Sequence, residues 1–242
     1  MKTTESDFDV AARLAHVKPL RGVREKVDPR HAALVVIDMQ NDFISDEGMI
    51  AREGRDVSQA KEMAEHLPAL IKAARAAGVF VVFVRNEYTS DRNLYLSDVW
   101  LDQAARQRAG GYTRIPVCAA GSWSGDFYGE VRPEPGEPIV TKHRYSGFYN
   151  TDLDTILRAN GIRTVVLTGV VTNVCVETTA REAFVRDYYV VVVKDGTAAY
   201  SQVDHDMTLK NVDRFFGELS TIDELNGFWP ARNQLDVRSN QK

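Results

Sequence analysis

The sequence predicts an α/β fold, a three-layer α/β/α arrangement built on a doubly wound, mainly parallel sheet of six strands. Two observations lead to this fold class. Short β-branched runs alternate with helical segments along the chain, and this alternation is typical of a parallel sheet covered by helices on both faces. The runs are also apolar at nearly every position, as strands buried on both faces are.

Five of the strands can be read individually. They cover residues 32–38, 79–84, 139–141, 164–167 and 189–193. An alanine-rich helix from about Val57 to Ala77 connects the first two, and Gly78 is suited to end it because glycine readily takes the left-handed conformation of a C-cap. The longest irregular stretch lies between residues 85 and 137. Loops of that length inside compact domains usually cover or bind a ligand.

Length and composition indicate one large domain, since the 242 residues are 44% hydrophobic. We expect an N-terminal arm over residues 1–30, a domain over residues 31–230 and a C-terminal tail over residues 231–242. The arm is charged and weakly patterned, with a short helix around Val10 to Leu14. The arm and the segment 228–230 could supply the contacts of a symmetric homo-oligomer, which we expect this protein to form.

The charge balance excludes some partners. The formal net charge is −4, and the basic residues are dispersed among acidic ones, so nothing favours nucleic acid or an anionic membrane surface. No apolar run approaches the roughly 20 residues needed to span a bilayer. The two cysteines, Cys118 and Cys175, form neither a disulfide framework nor a metal-ligand spacing. Free thiols suit a reducing compartment, so we expect a cytoplasmic protein.

Cys175 is the candidate nucleophile. It follows the strand that ends near Gly169 and precedes a predicted helix whose apolar positions recur at helical spacing. At a helix N-terminus the peptide dipoles and unpaired N–H groups favour negative charge, so we expect a lowered thiol pKa at Cys175. A lone free cysteine is more often a small buried hydrophobe, so the prediction needs partner residues. Cys118 follows neither a strand nor a helix start, and we interpret it as structural.

Two charged residues also follow predicted strands. Asp38 ends the first strand, and Lys142 follows the run Ile139-Val140-Thr141. In a doubly wound sheet the ligand site lies beyond the carboxyl ends of the strands. Alone, Asp38 could cap a turn and Lys142 could be an ordinary surface lysine. Together with Cys175 they predict a carboxylate, a cation and a thiol at one site.

Three motifs around these residues resemble the isochorismatase-like cysteine hydrolase family. They cover residues 36–43, 142–148 and 168–176, and the likeness extends from about His31 to Leu225. The segments 145–151 and 172–177 are most similar to the ureidoacrylate amidohydrolases of that family. The resemblance implies a catalytic triad of Asp38, Lys142 and Cys175. It also implies an oxyanion hole formed by the backbone N–H groups of Val171 and Cys175, after a cis peptide at Val170-Val171.

The resemblance further implies how substrate is held. Asn86 and Tyr145 match residues that face a ureido group, and Gln40 and Phe43, from the first motif, are further substrate-binding candidates. Nicotinamidases that resemble this family carry an Asp-x-His metal cluster after the second strand, whereas residues 84–90 contain no histidine. We therefore expect no metal and no cofactor. Three arginines could meet a substrate carboxylate; they are Arg85, Arg92 and Arg114.

The implied function is hydrolysis of a linear C–N amide bond in a small ureido or carbamoyl compound through a thioester. Ureidoacrylate-like acids are the first expectation for the substrate. Three alternatives stay open: a biuret, triuret or N-carbamoyl amine hydrolase of the same family; an isochorismatase, which hydrolyses a vinyl ether and needs no cysteine; and a non-catalytic binding module. The presence of Cys175 argues against the isochorismatase, and the intact triad argues against the binding module.

Overall fold

Six strands pair into one parallel sheet in the computed structural model, which describes residues 14–88, 92–107 and 117–231. The strands are β1 Ala32–Ile37, β2 Phe80–Asn86, β3 Ile139–Lys142, β4 Thr164–Val170, β5 Tyr189–Ala198 and β6 Glu218–Ser220. Their order is β3-β2-β1-β4-β5-β6, and every pairing is parallel. The predicted doubly wound α/β fold is confirmed, and the sheet reverses its direction of growth between β1 and β4.

Helices follow most of the strands and cover both faces of the sheet. They are α1 Gly22–Lys26, α2 Asn41–Ile44, α3 Met49–Arg52, α4 Ser58–Ala77, α5 Asp98–Gln107, α6 Leu153–Ala159, α7 Glu177–Val185, α8 Gln202–Asn211 and α9 Ile222–Phe228. Two π-helical turns cover Thr172–Val176 and Val212–Phe216. As predicted, α4 ends at Gly78, which has φ 74°. None of the described helices is both long enough and apolar enough to cross a membrane.

The continuous apolar run of β1 is explained by a core on each side of the sheet. Leu34 and Val36 belong to a core that also contains Leu67 and Leu70 of α4. Their neighbours in sequence, including Val35, pack on the opposite face in a second core with residues of α6 and α7. Since side chains alternate along a strand, both faces of β1 are buried and every one of its positions must be apolar.

The reversal point of the sheet requires Gly169. This residue lies opposite Ile37 in the β1–β4 register and has φ 104°. A Cβ atom there would lie 2.0 Å from the Ile37 carbonyl oxygen. Only glycine lets the two backbones approach so closely in this conformation. The close approach brings the ends of β1 and β4, and the residues that follow them, together.

The last residues of the predicted N-terminal arm pack on the body of the protein. Val27 is fully buried, and the Trp229 indole donates a 2.7 Å hydrogen bond to its carbonyl oxygen. Lys26 pairs with Glu218 of β6. The helix predicted around Val10 to Leu14 lies, apart from Leu14, outside the described residues, as does the tail after residue 231.

Candidate active site

The carboxyl ends of three strands bring Asp38, Lys142 and Cys175 together. Asp38 directly follows β1, Lys142 is the last residue of β3, and Cys175 follows β4. Lys142 Nζ lies 2.8 Å from Asp38 Oδ2 and 3.3 Å from Cys175 Sγ. The three residues are 1%, 0% and 5% exposed, respectively. The predicted carboxylate, cation and thiol therefore form one buried cluster.

Lys142 is held by a full set of acceptors. Besides Asp38 and Cys175, its ammonium donates to the Arg144 carbonyl oxygen at 3.1 Å, so each of its three protons has a partner. Burial alone lowers the pKa of Lys142, but the charge of Asp38 and the hydrogen bonds to Asp38 and Cys175 raise it overall above its ordinary value. The ammonium is therefore charged, and Asp38 and Lys142 form a buried ion pair.

The expected lowering of the thiol pKa is wrong. Burial, and next the charge of Asp38, raise the pKa of Cys175 to about 12, and Lys142 opposes them only in part. The thiol also lies within the π-helical turn Thr172–Val176, because α7 begins only at Glu177. Loss of water around the sulfur outweighs any helix dipole at this position. The resting thiol is therefore protonated.

The Asp38 carboxyl group has a raised pKa. Burial raises the pKa of its carboxyl group, although Lys142 and Cys175 both oppose the shift, so the carboxylate is a stronger proton acceptor than an ordinary aspartate. Oδ2 accepts a hydrogen bond from Lys142, whereas Oδ1 accepts none from any described residue. Asp38 has φ 52°, a region that costs energy for a residue with a Cβ atom.

The predicted oxyanion turn follows β4. The Val170-Val171 peptide is cis, and the Val171 carbonyl oxygen accepts from Val174 N at 3.0 Å and Val176 N at 3.2 Å. These bonds close the turn that carries Cys175. Val171 and Cys175 both line the adjoining cavity. That the backbone N–H groups of Val171 and Cys175 donate to an oxyanion stays a prediction.

A cavity of about 370 Å³ lies against this cluster. Of the predicted substrate-binding residues, Asn86, Tyr145 and Phe43 line it. The Trp100 ring lies 4.6 Å from the Tyr145 ring between centroids and 5.8 Å from the Tyr88 ring. The cavity therefore has an aromatic wall and a polar inner end, which suits a small planar polar molecule.

Asn86 lies between the two charged residues. The amide atom that faces the cluster is 3.1 Å from Lys142 Nζ and 3.4 Å from Asp38 Oδ2. As an oxygen it accepts from the ammonium, and the amide nitrogen then faces the Lys142 carbonyl oxygen at 3.3 Å. We favour this orientation because it gives both amide atoms a partner of the right kind.

Gln40 does not lie where the sequence analysis expected it. Its Nε2 donates to the carbonyl oxygens of Asn86 at 2.9 Å and Gly125 at 2.8 Å, and its Oε1 accepts from Asn86 N at 2.7 Å. Every polar atom of the side chain is thus bonded to backbone, and Gln40 does not line the cavity. The expected substrate contact is corrected to a role in fixing Asn86.

Several cavity residues escaped the sequence analysis. They are Ile50, Arg55, Tyr88, Trp100, Gln103, Ala104, Asn173, Val174, Thr178, Tyr200, Ser201 and Asp204. The i, i+4 pair Trp100 and Ala104 on α5 was a readable signal, because it marks one helix face inside the long loop. Of the arginines expected near a substrate carboxylate, Arg85 donates to Thr141 Oγ1 at 3.2 Å instead, and Arg114 lies outside the described residues. Arg92 does not line the cavity, whereas Arg55 does.

Metal ligands are not assembled in the part of the chain that the structure describes. No three of its histidine, cysteine, aspartate and glutamate side chains are grouped so that they could hold a metal ion. Cys118 is fully buried, and its backbone N–H donates to Asp42 Oδ2 at 2.6 Å. The Cys118 thiol does not line the cavity.

Comparison with known families agrees with this fold. Residues 32–224 match the isochorismatase domain, so the chain belongs to the isochorismatase family and is an isochorismatase-like hydrolase. Among its relatives is the ureidoacrylate amidohydrolase RutB of Variovorax paradoxus (strain S110), which is 38% identical over 215 residues, or 83% of this chain and 82% of the relative.

Solved structures share the fold. A cysteine hydrolase from Pseudomonas syringae pv. phaseolicola 1448A superposes with a TM-score of 0.72 at 30% identity, covering 88% of this chain and 97% of the other. An N-carbamoylsarcosine amidase from Thermoplasma acidophilum gives a TM-score of 0.62 at 32% identity, covering 80% of this chain and 97% of the other.

Proposed function

We propose that this protein is an amidohydrolase that cleaves a linear C–N bond of a small ureido or carbamoyl compound, with ureidoacrylate-like acids as its first substrates. The observation that carries the proposal is the buried ion pair of Asp38 and Lys142 in contact with the Cys175 thiol at the inner end of the cavity. Relatives and a structural neighbour named for ureidoacrylate and N-carbamoylsarcosine hydrolysis support the same class of substrate.

The first step is acyl transfer to sulfur. Asp38 accepts the thiol proton as the Cys175 sulfur attacks the carbonyl carbon, so a C–S bond forms and the carbonyl oxygen becomes an oxyanion. Backbone N–H groups at Val171 and Cys175 are the donors for that oxyanion. When the C–N bond breaks, Asp38 returns the proton to the departing nitrogen. An amine or ammonia leaves, and the acyl group stays on sulfur.

The second step is hydrolysis of the thioester. Asp38, again a carboxylate, accepts a proton from water as the water oxygen attacks the acyl carbon. The C–S bond then breaks, the proton returns to the Cys175 sulfur, and carbamate or the corresponding acid leaves. Lys142 keeps Asp38 oriented throughout and favours its ionised form between the proton transfers, and its position 3.3 Å from the sulfur lets it balance charge that develops there.

Orientation of the substrate follows from where charge lies in the cavity. Asn86 offers a neutral amide at the inner end, which suits a neutral urea. Arg55 is the cationic side chain that lines the cavity within the described ranges, and its guanidinium lies 5.7 Å from the Tyr200 ring centroid. A ureido acid would therefore place its ureido group at Cys175 and its carboxylate toward Arg55. Asp204 lines the same cavity and opposes that anion.

The other chemistries are weaker candidates. N-carbamoyl amino acids share a carbamoyl group and a carboxylate with ureidoacrylate, so they are the nearest alternative substrates. Biuret and triuret carry no carboxylate for Arg55. Vinyl ether hydrolysis needs no thiol and would leave Cys175 without a role.

A substrate screen tests the proposal. Product release, including ammonia formed as carbamate decomposes, is measured with ureidoacrylate, N-carbamoyl amino acids, biuret, triuret and nicotinamide for wild type and Cys175→Ser. We expect hydrolysis of a ureido or carbamoyl acid by wild type and none by Cys175→Ser. Full activity of Cys175→Ser, or wild-type turnover of no C–N substrate in the set, would overturn the proposal.

We also propose that the protein is a cytoplasmic homo-oligomer. Cys118 and Cys175 are both free thiols, which a reducing compartment maintains. Static light scattering at micromolar concentration is expected to give a multiple of 27.1 kDa, and a monomer mass would contradict the oligomer.

A further inference from the structure

Helix α8 is joined to the catalytic segment by two side-chain hydrogen bonds. His205 Nδ1 lies 3.0 Å from Thr172 Oγ1, at the start of the π-helical turn that carries Cys175. One turn further along α8, Thr208 Oγ1 donates to Glu177 Oε2 at 2.7 Å, at the start of α7. The two bonds therefore flank Cys175 in sequence, and only the first reaches the predicted oxyanion turn.

Thr172 is the first residue of the π-helical turn. It is fully buried, and it directly follows Val171, whose carbonyl oxygen closes the turn by accepting from Val174 and Val176. A buried hydroxyl without a hydrogen-bond partner costs free energy. The imidazole of His205 gives the Thr172 hydroxyl its partner. His205 and Thr172 lie outside the residues that line the active-site cavity, so neither contacts a substrate there.

The protonation of the ring determines the direction of this bond. Burial lowers the pKa of His205, opposed by the charge of Asp206 and by the backbone of Lys194, so the ring is neutral and one of its two nitrogens carries the proton. We assign that proton to Nε2, because Nδ1 already faces Thr172. Nδ1 of the neutral ring is then an acceptor, and the Thr172 hydroxyl donates to it.

We propose that His205 is a positioning residue that holds the oxyanion turn in register with Cys175 by accepting a hydrogen bond from Thr172. The inference rests on the proposed function, since it concerns the same turn. His205 lies far in sequence from the three motifs and on a different helix, and we expect it to help set the rate of the chemical step. A bond of this kind acts on kcat, because a displaced donor stabilises the oxyanion less while substrate binding is unaffected.

Four single variants and one double variant test the proposal. His205→Leu and Thr172→Val each remove the bond with little change in volume, and we expect kcat to fall about tenfold or more with KM within about twofold of wild type. His205→Asn keeps an acceptor close to the position of Nδ1, and Thr172→Ser keeps the hydroxyl, so each should restore most of kcat. The double variant His205→Leu with Thr172→Val should lose no more than either single variant, because both remove one bond.

Thr208→Val is the matched control. It removes the neighbouring bond from α8 to Glu177, so it should lower stability without lowering kcat. Wild-type kcat in His205→Leu, or an equal loss of kcat in Thr208→Val, would overturn the proposal while leaving amide hydrolysis intact.

The bond can also be tested without turnover. A nitrogen-15 spectrum of the histidine rings should show His205 as the Nε2–H tautomer, with an Nδ1 signal that shifts in Thr172→Val. An Nδ1–H tautomer, or an unshifted signal, would contradict the inference even if the enzyme proved to have a different substrate.

Discussion

Two buried cysteines in this protein each lie near a buried aspartate, and they differ in what surrounds the pair. Cys175 lies with Asp38 and contacts Lys142 beside a cavity. Cys118 lies near Asp42, whose carboxylate accepts from the backbone N–H groups of Cys118 and Met49. Burial is the largest cause that raises the pKa of both thiols. Both sites therefore have a buried thiol near a carboxylate, whereas only the Cys175 site, among the described residues, also has the Lys142 ammonium and the adjoining cavity.

A buried thiol near a buried carboxylate is therefore not sufficient for chemistry. Asp42 uses its oxygens to fix backbone, so it is a structural carboxylate. Asp38 keeps one oxygen without a hydrogen bond from any described residue, next to a thiol that needs a base. Replacing the members of the two pairs in parallel separates catalysis from packing.

The largest difference is expected between the thiols. Cys175→Ala should reduce kcat/KM by about 10⁴-fold or more, because the acyl acceptor is lost. Cys118→Ala should keep kcat/KM within about threefold and cost about 1 kcal/mol of unfolding free energy for the small cavity it leaves. Steady-state kinetics and urea unfolding measure the two effects. An active Cys175→Ala would remove the distinction between the pairs.

The second-largest difference is expected between the two carboxylates, Asp38 and Asp42. Asp38→Asn removes the base and leaves Lys142 as a buried charge without its counter-ion, so we expect at least about a 10³-fold loss of kcat/KM. Asp42→Asn should lower stability by about 1–3 kcal/mol because its backbone hydrogen bonds weaken. The folded fraction of Asp42→Asn should nevertheless keep near wild-type kcat, and equal losses of kcat in both variants would contradict separate roles.

A smaller effect is expected at the mouth of the cavity. Arg55→Gln should raise KM for a substrate that carries a carboxylate by about tenfold, with kcat unchanged, since the lost contact is not part of the reacting centre. Asp204→Asn should lower KM for the same anion. Arg52→Gln is the control, because Arg52 lies three residues earlier, at the end of α3, and does not line the cavity. A substrate without a carboxylate should not distinguish Arg55→Gln from wild type.

The smallest expected effect is the shape of the pH profile. Burial raises the pKa of Asp38, and the carboxylate must be ionised to accept a proton. The rate constant kcat/KM should therefore fall on acidification at a pH above the ordinary aspartate pKa of about 3.9. Because the pKa values of Cys175 and Lys142 are both raised, no basic limb is expected below about pH 10. A basic limb near pH 8 would indicate an ordinary thiol instead.

The fold could be predicted from sequence largely because its strands are buried on both faces. Continuous apolar runs identified β1 to β5, and Gly78 marked the end of α4. Strand β6 was not read individually, because Glu218–Ser220 has three residues with little apolar character and pairs only with β5.

Positions at strand ends identified Asp38, Lys142 and Cys175, since parallel topology alone brings such residues together. The direction of the thiol pKa was wrong, because burial depends on the packed structure and not on local sequence. The substrate contact predicted for Gln40 was misplaced for a related reason. The proximity of Gln40 to Asp38 in sequence did not show that its side-chain amide forms hydrogen bonds with the backbone of Asn86 and Gly125. Arg55 lies far from the motifs, and only the folded chain places it at the cavity.

Rapid acid quench during turnover, followed by mass spectrometry of the cysteine peptides, tests the central claim most directly. With a ureido acid as substrate, the proposed mechanism requires a carbamoyl or N-substituted carbamoyl group on Cys175 at early times, according to whether the amine or ammonia leaves, and an unmodified Cys118. An adduct on Cys118, or product formation with Cys175 unmodified at every quench time, would contradict covalent catalysis by the thiol that contacts Lys142.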